Sequence, residues 1–252
     1  MNSYFTADDV LRALSRVYDP ELDRPITELG FVRSVKVGDT VEVEITTSTF
    51  WCSPNFIYMM LVDARREVAE ELRIQVDKVR VYIRDHLDEE RINRCVSEGL
   101  SFRECFGEEA TGDLELLRRV FKEKSLRSRL YQLALVMKRK GLTYEDIVSL
   151  RVESVVDRGD LVELRLGQRV ITFSGEEASV VRSYLDFIAR NFGRVEYLAI
   201  WDLNGSRPTV WQLRELVEGA GRVIKLNFDV NAVLCRLLLE SRLSRLSTQS
   251  TQ

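Results

Sequence analysis

The chain reads as an α/β (α+β) protein of two domains, and three observations carry that reading. Apolar residues recur at helical spacing in several stretches, other short stretches alternate apolar and polar residues with the period of a strand, and a basic middle separates two groups of such elements. With 252 residues and a 45% hydrophobic composition, the chain can supply two cores.

Thr6, followed three residues later by Asp9, marks a helix start, and Val10, Leu14 and Val17 then share one helical face. Beyond Asp19-Pro20-Glu21, residues 31–37 extend as a strand. Gly38-Asp39 forms a two-residue hairpin turn, and Val41, Val43 and Ile45 alternate with Glu42 and Glu44, which leaves one face of the hairpin wet. From Pro54 to about Leu72, Ile57, Leu61, Ala64 and Val68 line a helix, and Val79, Val81 and Ile83 alternate as a third strand. Residues 1–86 therefore form an α-β-β-α-β domain.

Residues 87–142 are expected to be a helical extension or linker outside both cores. It holds one helical stretch punctuated by Gly107 and Gly112, then two helices at about 113–124 and 126–140 that stop at Gly141. Residues 143–252 read as a second α/β domain of undetermined topology, with an interaction or client-recognition role. Thr143 and Asp146 cap a short helix there, and residues 152–156, 161–166 and 169–173 are short strands. Ser174 opens a helix carrying Val181, Leu185 and Ile188, which runs to Gly193. An apolar strand at 195–203, a turn at Asn204-Gly205, a helix capped by Thr209, a strand at 223–228 and a helix at 232–243 follow, before a loose polar tail at 247–252. Asp202 and Asn204 are assigned to that turn, and Trp201 and Trp211 to packing.

Composition excludes several chemistries. One histidine, His86, rules out multi-histidine zinc sites and the paired motifs of di-iron bundles, and is itself assigned to surface or packing. The chain has no G-x-G-x-x-G, no G-x-x-x-x-G-K-[ST] and no G-x-S-x-G. No basic region followed by an apolar run opens it and no stretch approaches the roughly 18 apolar residues of a membrane span, so a cytoplasmic protein is expected. Cys52, Cys95, Cys105 and Cys235 are widely spaced without a C-x-x-C pair, and are expected to be reduced. Cys95 and Cys105 are given structural roles, ligation being left open, and Cys235 sits on an apolar helical face as a core residue. The net charge of −3 conceals 9 basic against 3 acidic residues in 113–140. This stripe is read first as a solvated helix pair and second as a salt-sensitive docking face for something acidic; nucleic acid is not an expected partner, because aromatics do not interleave with the charges.

The most informative residue is Cys52, placed where a strand ends and a helix begins in the run from Ile45 to Asn55. Ser53 is a candidate N-cap and Pro54 a first helical residue, so the helix amides and their positive end would favour the ionised sulfur. A thiolate there is a nucleophile or a ligand for a soft metal, and no histidine partner supports the enzyme reading. Thr46, Thr47, Ser48 and Thr49 offer hydroxyls before the thiol, with Thr47 and Ser53 the candidates for hydrogen bonds to the site. Phe50 and Trp51 either shield the sulfur, contact a client or pack in the core.

Asp19-Pro20-Glu21, Thr27-Glu28-Leu29-Gly30-Phe31-Val32 and Cys52-Ser53-Pro54, in the α-β-β-α-β frame, resemble the PaaD/SufT-type family of iron-sulfur cluster assembly domains over roughly residues 6–86. The longer run from Ser48 to Phe56, with Val62-Asp63-Ala64 and the segment from Arg91 to Gly99, is similar to a two-domain branch associated with soluble di-iron monooxygenases. Ser53, standing between cysteine and proline, departs from the direct Cys-Pro of many members. The resemblance implies a non-enzymatic factor that matures metalloproteins, with Cys52 as ligand to a transient iron-sulfur cluster or iron, and Asp19, Glu21 and Glu28 as assisting acidic residues. Its expected partners are a client metalloprotein or an iron-sulfur carrier, and a homodimer that shares the cargo, since one cysteine cannot complete a four-thiolate site. The alternative is a metal-independent adaptor or chaperone for an oxygenase complex, with Cys52 structural.

Overall fold

A computed structural model describes residues 5–110 and 114–249, so Gly112 and the last three residues of the expected tail lie outside the described residues. The chain divides into two compact units, one holding the residues up to Arg118 together with those from Phe228 onward, the other holding Arg119–Asn227. Expected boundaries at 86 and 142 do not coincide with this division.

In the first unit α1 (Ala7–Leu14) begins as expected, with Thr6 and Asp9 forming a reciprocal capping box. A two-stranded ribbon that the sequence did not signal, β1 (Tyr18–Asp19) and β2 (Arg24–Pro25), follows. β3 (Val32–Val37) and β4 (Val41–Ile45) are antiparallel, and Val37 pairs with Val41, so the connecting loop has Gly38, Asp39 and Thr40 rather than two residues. The 19-residue α2 (Pro54–Leu72) leads to β5 (Val79–Ile83), which pairs in parallel with β4. A parallel neighbour requires such a crossover, and the helix supplies it. The sheet order is β3-β4-β5, and α1 and α2 pack on it and on each other.

The expected linker is part of this core. α3 (Glu89–Glu98) and α4 (Phe102–Phe106) bury Ile92, Val96, Phe102 and Phe106 in the same cluster as Val43, Ile57 and Val81. Asn93 closes the edge of β5 by pairing its side-chain amide with both backbone groups of Ile83, at 2.8 and 3.0 Å. Cys95 and Cys105 form a disulfide with Cα atoms 5.9 Å apart, which corrects the expectation of reduced thiols and removes both as ligands. The signal was missed because pairing requires the α3–α4 turn to bring them together, and spacing alone does not show that.

Instead of two helices, α5 (Leu114–Arg139) is one helix of 26 residues. Part of its charge is taken up within each unit: Arg118 pairs with Asp63 at 2.6 Å in the first, and in the second Arg127 lies over the Trp201 ring. Arg129, also in the second unit, is buried. Arg119, Lys122, Lys124 and Arg139 stay exposed, so the expected solvated stripe holds in part, on one helix rather than two.

In the second unit Thr143 and Asp146 box the start of α6 (Tyr144–Ser149). β6 (Val155–Asp157), β7 (Leu161–Leu166) and β8 (Arg169–Ser174) form an antiparallel sheet in sequential order, with 152–154 a 3₁₀ turn instead of strand. α7 (Gly175–Phe192) packs on β7 and β8. In place of the expected strand at 195–203 stands an irregular segment that buries Leu198, Ala199 and Ile200 and has one bridge, Arg151 to Tyr197. Its backbone is shared between that neighbour and a side chain: Leu198 N–H donates to Leu150 O at 2.8 Å and Val152 N–H to Glu196 O at 3.1 Å, while the buried Tyr184 hydroxyl donates to Leu198 O at 2.9 Å and accepts from Ile200 N at 3.0 Å. Asp202 accepts the amides of Asn204 and Ser206, as expected of a turn, while Trp211 is exposed rather than packed.

Thr209 caps α8 (Val210–Glu215), a π-helical turn follows at Leu216–Ala220, and α9 (Gly221–Gln249) runs 29 residues. The expected strand at 223–228 and the start of the expected tail are thus helical. A Cβ on Gly221 would sit 2.5 Å from Tyr131 Cδ2 and 2.6 Å from Leu216 O. Ala in place of helical Gly ordinarily gains about 1 kcal/mol. Here overlap with backbone wins, and Gly221→Ala is expected to destabilise the second unit by about 1–3 kcal/mol in denaturant titration. From Phe228 onward α9 buries Phe228 and Leu239 and lays Ala232, Cys235 and Leu243 on the first unit's core, leaving Val230, Val233, Leu234, Leu237 and Leu238 exposed.

Among the described residues no helix is long and apolar enough to cross a membrane.

Candidate functional site

Because β4 and β5 are parallel and Ile45 lies opposite Ile83, their carboxyl ends finish together, and residues 46–53 and 84–88 leave the sheet side by side. Cys52 sits in the first of these loops as a free, half-buried thiol, directly before α2. Ser53 occupies the N-cap position and Pro54 the first turn, as expected, but the Ser53 side chain makes no capping bond. The hydroxyl that reaches the sulfur belongs to Thr49, whose Oγ1 lies 3.2 Å from Cys52 Sγ. Thr47 braces the loop instead, donating from Oγ1 to Thr49 O at 2.9 Å.

His86 is buried and belongs to the site. Its Nε2–H donates to the Cys52 carbonyl at 2.8 Å, while Nδ1 accepts Asp88 N–H at 3.0 Å. A carbonyl can only accept and an amide N–H can only donate, so these bonds select the neutral Nε2–H tautomer. The sole histidine therefore holds the backbone of the cysteine from the adjacent loop. The topology signals this, since parallel β4 and β5 put the residues after both strands in one place.

The second support is Arg242 on α9, which the sequence reading did not single out. Its guanidinium donates to Thr47 O at 2.8 Å, Thr46 Oγ1 at 3.1 Å and Asp85 O at 3.0 Å. Asp85 has a φ of +58°, a conformation that side chains avoid, and this clamp holds it from one side while Glu89 accepts its amide at 2.8 Å from the other. The separation of 195 residues between Arg242 and Thr47 explains why no local pattern shows the contact.

Phe50 and Trp51 meet edge to face with ring centroids 4.3 Å apart, and Trp51 is 61% exposed, so core packing does not describe them. Leu87, 73% exposed, donates its backbone N–H to Phe50 O at 2.9 Å and extends the same rim. Three large apolar side chains thus stand in solvent around the loop that carries Cys52.

Of the acidic residues, Asp19 is buried, and its Oδ1 accepts the amides of Glu21 and Leu22 at 2.9 Å each. Burial pushes its carboxyl up to about 6, against those two amides, which favour the charged form. Glu21 is exposed, and Glu28 is exposed with no hydrogen bond to the Cys52 loop among the described residues. Asp19 and Glu21 act on Cys235, whose free thiol lies in the same apolar cluster as Cys52. Burial raises the Cys235 thiol, Ser48 opposes that rise, and the charges of Asp19, Cys52 and Glu21 add to it. Cys235 is therefore a site neighbour and not the simple core residue expected. Among the described residues no three His, Cys, Asp or Glu side chains converge to hold a metal ion.

The profile of a family described as iron-sulfur cluster assembly protein matches residues 7–81, which covers α1 through the first part of β5 and includes Cys52. An uncharacterized protein of Methanocaldococcus jannaschii is 33% identical over 96 residues, which is 37% of this chain and 96% of that protein. No solved structure matches the chain.

Proposed function

The chain belongs, through residues 7–81, to the iron-sulfur cluster assembly protein family, and from that premise we propose that it is a cytoplasmic, non-enzymatic factor that binds iron or an iron-sulfur cluster transiently at Cys52 and passes it to a client metalloprotein. The observation that carries this reading is the free Cys52, held in a loop braced by Thr49, His86 and Arg242 and ringed by exposed Phe50, Trp51 and Leu87. The cargo is a substrate here. Sulfur supplies one soft ligand, and the apolar rim is the surface that a client or carrier would cover on transfer. One thiolate is too few for a resident four-thiolate cluster, so the remaining ligands come from inorganic sulfide, the partner or a second copy of the chain. The client is proposed to be a component of a di-iron monooxygenase, on the resemblance carried by the Ser48–Phe56 run and the Arg91–Gly99 segment.

Anaerobic reconstitution with ferrous iron and sulfide tests the reading, with bound metal, visible absorption and oligomeric state scored together. Wild type is expected to take up iron, and Cys52→Ala to lose at least about tenfold of it. In cells the same substitution is expected to lower client cluster content. Unchanged uptake and unchanged client maturation in Cys52→Ala would sink the proposal. The exposed rim also supports a second reading, a metal-independent adaptor, and client binding that survives Cys52→Ala without metal would favour it.

A further inference from the structure

We propose that Cys235, carried on α9, is the second thiolate of the Cys52 site, so that the cargo is held between two protein sulfurs contributed by distant parts of the chain. This rests on the carrier reading and adds a ligand that lies far outside the matched residues 7–81. The geometry has two parts. First, α9 is fastened to the loop that carries Cys52 by Arg242 on Thr47 and Thr46, and to the turn before β3 by Leu239, whose Cδ2 lies 3.6 Å from where a Cβ on Gly30 would be. Cys235 is seven residues before Arg242, two helical turns along the same face, and both Cys235 and Cys52 pack on one core.

Second, Ser48 points to a ligand. It is 3% exposed, and its hydroxyl has no hydrogen-bond partner among the described residues, an arrangement that buried polar groups rarely keep unless something else fills the place. Ser48 bears on the Cys235 thiol, opposing the rise that burial imposes on it. A thiolate accepts from a hydroxyl better than a thiol does, so Ser48 gains its missing partner when Cys235 ionises on a metal. Two thiolates leave part of a tetrahedral iron free for sulfide or a partner's thiolate, which suits cargo in transit.

Two measurements separate this proposal from the carrier reading. Reconstitution with ferrous iron and sulfide is repeated on Cys235→Ser beside Cys52→Ser, with circular dichroism to confirm folding. Both variants are expected to hold at least about fivefold less iron than wild type. Loss in Cys52→Ser with wild-type uptake in Cys235→Ser overturns the second thiolate and leaves the carrier reading standing, whereas wild-type uptake in both overturns both. Wild-type protein, which has no folding ambiguity, is also treated with phenylarsine oxide, which condenses with two neighbouring thiols to form two As–S bonds and release one water. One adduct per chain that resists excess monothiol, and is absent from Cys235→Ser, is expected. No stable adduct on wild type overturns the proposal, whatever the iron result.

Discussion

Arg242→Ala is expected to destabilise the first unit by about 3 kcal/mol and to release α9 from the cysteine loop. A charged donor to neutral acceptors is worth more than an ordinary hydrogen bond, and this guanidinium makes three such bonds, with Asp85 Oδ2 a further 3.5 Å away. Its removal leaves two carbonyls and the Thr46 hydroxyl without that donor, and Asp85 at positive φ loses one of its two holds. Water reaches part of the site, which keeps the loss below the sum of three bonds. Hydrogen exchange is expected to accelerate in both 46–52 and 228–245, because the clamp couples them, and equilibrium denaturation gives the magnitude. Arg242→Lys keeps the charge but not the planar fork that reaches several acceptors at once, so it is expected to recover less than half. Unchanged exchange in 46–52 would show that the loop is ordered by Thr49 and His86 alone.

The frame of the site was legible in the sequence where the signals are local. Thr6 with Asp9, the alternation of Val41, Val43 and Ile45, and Pro54 at the start of α2 each depend on residues a few positions apart, and each element stands close to where those residues put it. Cys52 was found for the same reason. What failed was long-range. Residues 223–228 have the composition of a strand, yet they continue α9, because the packing of a 29-residue helix outweighs a short stretch of β propensity. The centre of the 195–203 run is buried as a strand would be, but residues 150–152 pair with it only at Glu196 and Leu198, and the Tyr184 hydroxyl takes over at Leu198 O and Ile200 N. The sequence put Thr47 forward, since nothing local separates its hydroxyl from that of Thr49, and it is Thr49 that touches sulfur. His86 and Cys235 were assigned to packing because nothing near them in sequence is a ligand, while Arg242 carried no motif at all. Their roles arise from the parallel pairing of β4 with β5 and from the return of α9.

Asp19→Asn is expected to make the protein more stable above pH 7. Asn keeps an oxygen to accept the Glu21 and Leu22 amides, so the turn survives the change. In wild type, burial raises the carboxyl from 3.8 to about 6, so between those values the folded chain holds a proton that the unfolded chain has lost. The stabilisation that the neutral acid contributes is complete below pH 3.8 and is lost as pH rises through about 6, amounting to about 3 kcal/mol at neutral pH. Asn has no proton to lose. The stability difference between variant and wild type should therefore grow from near zero at pH 4 to about 3 kcal/mol in favour of Asn at pH 8, read by denaturant titration across that range. A difference that does not change with pH would show that Asp19 stays neutral or is satisfied when charged. A buried carboxylate that costs stability at working pH, set beside the Cys235 thiol, fits a demand of the site rather than of the fold.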